Sequence, residues 1–231
     1  MPEEGTSEIV VIVAARDEAD RIAATIDALK EAFPGARVIV ADDASSDGTS
    51  DLALARGAEV VSRRRPHGKG GSVTAAAATI APLAELGEPP TFLLCDGDLG
   101  ASARELRRLV EAVETGECAL AVGAFSRRAG GGFGVALGFA RWAIERRSGY
   151  RAGAPISGQR AMRGEVLRAV VPFAPGYGME TAMTIDAVRT GFTVREYELD
   201  LEHRATGRSV RGFAHRARQL ADIARAWWGR R

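Results

Sequence analysis

Residues Thr91 to Ser102 read TFLLCDGDLGAS, and the fold turns on how this stretch is understood. Phe92, Leu93, Leu94 and Cys95 are strand-type side chains that run directly into Asp96-Gly97-Asp98. Two carboxylates with one glycine between them repel each other at the end of a buried strand, so a cation is expected nearby. A hard divalent ion such as Mg²⁺ or Mn²⁺ takes oxygen ligands and shares its shell with substrate phosphates, which makes Asp96 and Asp98 candidate ligands of a metal–diphosphate site. Asp and Gly are also the commonest turn residues, so a plain solvated turn is the alternative. Ser102 and Glu105 have the spacing of a capping box and predict a helix start directly after the loop.

Working outward, the chain alternates strand and helix. Ile9 to Ala14 is a continuous apolar run, as in a central parallel strand covered on both faces. Ile22, Ile26, Leu29 and Phe33 follow at helical spacing until Pro34-Gly35. Val38 to Val40 is a second strand, ending in Asp42-Asp43 and a loop of short polar side chains. A helix is expected from Thr49 to Arg56, with Gly57 at its C-cap. Glu59 to Ser62, Thr91 to Cys95 and Ala119 to Val122 continue the strands, and Ala103 to Thr115 the helices. This rhythm predicts an α/β fold, a doubly wound and mainly parallel sheet, with ligands at the carboxyl ends of the strands.

The second half is less regular. Ser126-Arg127-Arg128 and a triple glycine predict a mobile basic loop, and Val135 to Arg147 a helix. Ile156 to Arg160 begins a short element. Gly176-Tyr177-Gly178-Met179-Glu180 opens a helix to about Arg189, and Thr193 to Leu201 alternates as a strand that leads into His203-Arg204.

With 231 residues and 46% hydrophobic content, one large domain spanning 1–231 is expected. The 31 basic and 30 acidic residues nearly cancel, which argues against a nucleic-acid partner bound through bulk charge. Cys95 and Cys118 read as buried thiols of a reducing compartment. The acidic start MPEEGTSE is unlike a signal peptide, and no apolar run reaches the roughly 18 to 20 residues of a membrane span. These features predict a cytoplasmic protein, at most peripheral to a membrane.

The strand-end loops combine into one chemistry. Asp42 and Asp43 are candidates to accept hydrogen bonds from a nucleotide's base or ribose, and Lys69, set among glycines, to reach a phosphate. A cation with Arg or Lys partners stabilises a departing diphosphate more in the transition state than in the ground state. Each group also has a plainer use: Asp-rich loops cap helices, and a Gly-Lys-Gly loop is often simply exposed.

Ile9 to Glu18, the run DDASSDGT from Asp42 to Thr49, GKGG from Gly68 to Gly71 and DGD from Asp96 to Asp98 resemble, in that order and spacing, the nucleotide-diphospho-sugar glycosyltransferases of family 2, which have the GT-A fold. Within that family the second half is similar to polyprenyl-phosphate mannose or glucose synthases, through Ser126-Arg127 before the triple glycine, Ser157-Gly158, and Arg204 with Gly207 and Ser209. By that resemblance Glu18 and Asp43 bind the nucleoside of a UDP- or GDP-sugar, Asp96 and Asp98 the metal, and Arg127 and Arg204 phosphates. A proline usual in the family's first loop is replaced by Ala14, and a metal-binding Gln of the mannose synthases by Gly100. Their C-terminal lysine falls on Val210, which leaves Arg208 or Arg211 to substitute.

A second resemblance, to glucosyl-3-phosphoglycerate synthases, runs through Gly176 to Glu180 and through His203, which completes the metal shell in such enzymes. It changes the acceptor from a lipid phosphate to a small phosphorylated acid. Glu180 is a candidate catalytic group on the acceptor side, with a helix-start carboxylate as its plainer role. From outside the family, a sugar-1-phosphate nucleotidyltransferase would need a glycine-rich first loop that Ala14 to Glu18 lacks. A non-catalytic nucleotide binder would not need Asp96, Asp98 and Lys69 together.

The C-terminal stretch decides the acceptor reading. Phe213, Ala217, Leu220, Ala224 and Trp227 form an apolar stripe and Arg211, His215, Arg218, Asp222 and Arg225 a mostly basic one, predicting an amphipathic helix over about 211–228. Trp227-Trp228 before Arg230-Arg231 suits a helix at an anionic lipid surface, where a polyprenyl phosphate would be met. Packing on the domain is the alternative. At the opposite end of the argument, Asp98→Asn keeps shape and removes charge: it is expected to abolish sugar transfer with an unchanged melting temperature, and near-normal turnover would remove Asp98 from the metal site.

Overall fold

The computed structural model describes residues 8–80, 82, 89–126, 134–202 and 210–230, with side chains in the last segment from Arg218 onward. Seven strands, β1 (Ile9–Ala15), β2 (Arg37–Asp42), β3 (Glu59–Ser62), β4 (Thr91–Asp96), β5 (Leu120–Phe125), β6 (Arg160–Met162) and β7 (Val194–Leu199), form one sheet in the order β3-β2-β1-β4-β6-β5-β7. All neighbours run parallel except β6, which is antiparallel to both β4 and β5. Three residues of β6, buried on both sides, carry no alternation that would have marked a strand in the sequence.

The period-2 geometry of β1 explains its unbroken apolar run. Val11 and Val13 enter one core with α1 (Ile22–Ala32) and α4 (Arg107–Glu114), while Val10 and Ile12 enter a second core with α3 (Lys69–Ile80), α6 (Gly164–Val170) and α7 (Met179–Arg189). The helix α2 (Thr49–Ala55) adds Ala53 to the first core, and Gly57 follows it at φ +67° as expected. Cys95 and Cys118 are buried free thiols. Burial raises both thiols, Cys95 well above the ordinary range with the neighbouring Asp96 carboxylate adding to the effect, and disfavours their reactive thiolate forms.

Two further helices, α5 (Val135–Ser148) and α8 (Val210–Trp228), lie outside α7. Ile144 of α5 packs with Ile185, and Ala226 of α8 with Ala174 and Ala182. The contact with α8 is close: a Cβ on Gly178 would lie 2.8 Å from that of Ala226, and Asp222 accepts from Tyr177 N at 3.2 Å.

Two expectations need correction. Ser102 and Glu105 form no capping box: a 3₁₀ turn, Gly100–Leu106, precedes α4, and Ser102 Oγ donates to Leu99 O at 2.7 Å while accepting from Glu202 N at 2.9 Å. The face that α8 buries is also displaced from the expected stripe, because the helix is wedged against both α5 and the Gly176–Gly178 turn. Ile223 and Ala226 are its buried residues among those described, and Asp222, assigned to the basic face, turns inward.

The start of α3 is the closest approach at any glycine among the described residues. A Cβ on Gly70 would stand 1.9 Å from Ala174 O, inside the backbone that leads to α7. Gly70→Ala is therefore expected to cost on the order of 3 kcal/mol in urea unfolding, against a few tenths for alanine at a site with room.

Candidate active site

The first two strand-end loops hold each other. Asp17, at φ 54°, donates its N–H to Ser45 Oγ at 2.9 Å and accepts from Ser46 N at 2.9 Å. Asp47 accepts from Ala19 N at 3.0 Å, and Thr49 Oγ1 from Glu18 N at 2.9 Å. Burial works against the Asp47 anion, but the donors from Thr49 and Ala19 outweigh it and hold its carboxyl below the usual range.

Asp42 accepts from Ser45 N at 3.1 Å, from Ser45 Oγ, from Ser50 Oγ at 2.8 Å and from Ser62 Oγ at 3.0 Å. Those four bonds fill the roughly four acceptor positions of a carboxylate, so Asp42 holds the loop together. Asp43 accepts from His67 N at 2.7 Å and Gly68 N at 2.9 Å, which fastens this loop to the one that carries Lys69. Glu18 stands half-buried in the first loop, its carbonyl starting α1 through Arg21 N and Ile22 N.

The Asp-Gly-Asp loop is set by a residue that sequence reasoning missed. Thr25, wholly buried in α1, donates to Gly97 O at 2.8 Å and accepts from Gly100 N at 2.8 Å. Arg21 Nη1 reaches Asp98 O at 3.2 Å. A Thr inside an apolar helical face was the available signal. It stands between Ile22 and Ile26, at a position the core side of the helix shares.

Asp96, Lys69 and Glu180, placed on three separate loops by sequence, meet. Lys69 Nζ lies 2.5 Å from Asp96 Oδ1 and 2.9 Å from Glu180 Oε1. Gln159 Nε2 donates to Asp96 Oδ2 at 3.0 Å. The ends of β4, α3, α7 and the segment before β6 thus converge on one ammonium. Burial would lower the Lys69 pKa, but the two carboxylates outweigh it and raise it well above the ordinary lysine range, so Lys69 is a fixed cation. A side chain at Gly158 would push on the bridge, since its Cβ would lie 2.1 Å from Lys69 Nζ and 2.8 Å from Asp96 Oδ2.

Arg127, His203, Arg204 and Arg208 lie outside the described residues. Among the described residues no three His, Cys, Asp or Glu side chains gather as a metal cage. The two hard carboxylates at the end of β4 are nonetheless of the type that binds a hard divalent cation jointly with substrate phosphates.

A doubly wound sheet with an Asp-Gly-Asp turn and a fixed lysine at its carboxyl edge defines a nucleotide-sugar-handling enzyme of the GT-A class. A family model described as "Glycosyl transferase family 2" matches residues 10–167. The chain belongs to glycosyl transferase family 2. It is 30% identical to an undecaprenyl-phosphate mannosyltransferase of Micrococcus luteus, over 96% of this chain and 93% of that one. It is 33% identical to a glucosyl-3-phosphoglycerate synthase of Mycolicibacterium paratuberculosis over 77% of this chain, spanning 59% of that protein. Among solved structures it is similar to glucosyl-3-phosphoglycerate synthase of Mycobacterium tuberculosis in complex with Mn²⁺, UDP and glucosyl-3-phosphoglycerate, at a TM-score of 0.73 and 26% identity, covering 95% of this chain and 80% of that one. The same enzyme with phosphoglyceric acid gives 0.75 at 26% identity and the same coverage. The protein is a glycosyltransferase, and the nucleotidyltransferase and non-catalytic alternatives give way.

Removing the bridging cation leaves two carboxylates facing each other. Lys69→Met is expected to lose about 3 kcal/mol of stability, and Lys69→Met with Glu180→Gln to lose less than the sum of the single variants in denaturant unfolding, the sign of direct coupling.

Proposed function

We propose that the protein transfers a hexose from a UDP- or GDP-linked donor to a polyprenyl phosphate at a membrane surface, with Mg²⁺ or Mn²⁺ on the donor diphosphate. The observation that carries the acceptor is the alignment with the undecaprenyl-phosphate mannosyltransferase along 96% of this chain and 93% of that one. Asp98 and Asp96 hold the cation, which neutralises charge on the leaving diphosphate. Lys69 adds a fixed positive charge beside it, preorganised by Asp96 and Glu180. Asp43 and Glu18 serve the nucleoside, and Arg127, Arg204, Arg208 and His203 the phosphates and the metal.

A phosphate acceptor is already an anion at neutral pH and attacks without a base, so Glu180 then has the task of holding Lys69. A hydroxyl acceptor would instead give Glu180 its proton. That second reading, a soluble phosphorylated acid, is favoured by the phosphoglyceric acid bound in the structural relative.

No helix among the described residues is long and apolar enough to cross a membrane. The docking proposed here is peripheral, at the cytoplasmic face. The surface where α5 meets α8 suits it: Phe139 stacks on Trp142, Trp142 lies tilted against Trp227, and Trp227 meets Trp228 edge to face, at centroid distances of 5.5, 5.2 and 6.2 Å, with Trp142 and Trp228 exposed. Arg147 lies over the Trp227 ring at 4.4 Å, and Arg225 faces solvent. Indoles and guanidinium groups so arranged fit the headgroup level of an anionic bilayer.

The decisive test offers UDP- and GDP-linked hexoses with Mn²⁺ to the enzyme, together with either undecaprenyl phosphate in anionic liposomes or 3-phosphoglycerate, and reads product mass. Turnover with the lipid phosphate is expected, and turnover with the soluble acid alone overturns the acceptor. Trp142→Ala with Trp228→Ala should weaken liposome sedimentation about tenfold at low salt, and unchanged sedimentation would remove this surface from docking.

A further inference from the structure

Arg160 is the largest wholly buried side chain of the fold. It stands at the start of β6, between two strands, where an apolar residue would fill the space without any desolvation cost. Its Nε donates to Ser157 O at 2.9 Å and its Nη1 to Thr184 Oγ1 at 2.9 Å, while Nη2 is buried with no hydrogen-bond partner. Burial lowers its pKa to about 10 against the opposing pull of Glu180, Glu196 and Tyr150, so it is a cation at neutral pH. A buried guanidinium with an orphaned donor is expensive, and its contribution must be sought in what it holds in place.

Both bonds lead to the Lys69 centre. Ser157 begins the turn whose next residue, Gly158, abuts Lys69 Nζ and whose third, Gln159, donates to Asp96. The same serine is pinned to β5, its Oγ donating to Gly123 O. Thr184 lies one helical turn beyond Glu180 in α7 and donates to the Glu180 carbonyl at 3.1 Å. Arg160 therefore ties the turn that grips one carboxylate of the bridge to the helix that carries the other.

We infer that Arg160 is a positioning residue for sugar transfer: by clamping the Ser157–Gln159 turn to α7 it sets the separation of Asp96 and Glu180 at which Lys69 bridges both. The inference rests on the reading of the Lys69 centre as catalytic. A lysine cannot replace it, because one ammonium on a flexible stem does not reach two acceptors in the fixed directions of the guanidinium fork. The clamp also explains why the turn has no need of a longer loop or a second ion pair: the buried fork supplies its rigidity.

The test uses Arg160→Met, Arg160→Lys and Thr184→Val. Met fills the site without a charge: it relieves the desolvation of the guanidinium but leaves Ser157 O without its donor, so Arg160→Met is expected to fold with a melting temperature at or somewhat below that of the parent. Its kcat should fall about a hundredfold, the size of effect that a misplacement of about 1 Å produces, with donor KM changed by less than about threefold. Arg160→Lys should not restore kcat. Thr184→Val, which leaves the arginine in place, should lower kcat in the same sense, and the double variant Arg160→Met/Thr184→Val should be no slower than Arg160→Met alone.

Crystal structures of the parent and Thr184→Val supply a readout free of any assumption about donor or acceptor, with Lys69 Nζ expected to leave one of its two carboxylates in the variant. Parent kcat in a folded Arg160→Met, or a loss that only follows the folded fraction, overturns the inference. So does Thr184→Val with parent kinetics and an unchanged Lys69 bridge, which decides the matter if Arg160→Met does not fold. A parent enzyme inactive with every donor would instead defeat the proposed function, and the crystallographic comparison would still judge the clamp.

Discussion

Everything at the carboxyl edge of the sheet depends on one ammonium placed between two carboxylates. Lys69 sits 2.5 Å from Asp96 and 2.9 Å from Glu180, and three elements distant in sequence must come within side-chain reach for that to happen. Coulombic attraction in a partly enclosed site is strong, yet desolvation of three charged groups opposes it, so the bridge forms only when its geometry is imposed by the surroundings. The glycines supply that geometry. Gly70 lets α3 press against Ala174, and Gly158 lets the turn before β6 pass the ammonium with no side chain between them.

The same constraint reaches the outer layer. Gly178 brings α8 against the start of α7, and Asp222 of α8 takes the Tyr177 N–H two residues before Met179. Arg230, just past the end of α8, pairs with Asp186 of α7 at 2.6 Å. α8 is thus fastened to α7 at both ends of their contact, and α7 carries Glu180. The amphipathic helix is committed to the domain over its described C-terminal part rather than reserved for a lipid surface. What remains outward are Trp142 and Trp228, on two different helices, and an interfacial surface of that kind arises only from the packing of α5 on α8.

Much of this was legible from residues alone where the pattern was local. The apolar run of β1, the spacing of α1, Gly57 after α2 and the alternation of Val194–Leu199 all express a period or a backbone preference that neighbouring residues share. The position of Asp96, Asp98 and Lys69 at strand ends was legible for the same reason. Contacts between distant segments were not. Nothing near Lys69 announces Glu180, since that pairing depends on Gly70 meeting Ala174. The apolar face around Thr25 marks it as a buried hydroxyl, but its partners in the Asp-Gly-Asp loop lie more than 70 residues away. β6 is three residues long and covered on both faces, so its hydrophobic pattern had no period to display, and the arginine that opens it reads as a surface residue on composition.

Carboxylates of one chemical type are sorted here by the partners around them. Asp42 is enclosed by serines and a backbone N–H until its acceptor positions are full, and Asp47 is held as an anion by Thr49 and Ala19. Asp43 spends its oxygens on His67 N and Gly68 N, one residue before Lys69, and so supports the loop that carries the cation. Asp96 and Glu180 share the one Lys69 ammonium, which offsets half of their charge. The negative charge at this edge is therefore distributed into loops that hold their own shape before any ligand arrives. Preorganisation of this kind is what a transferase needs when a diphosphate leaving group gathers charge in the transition state.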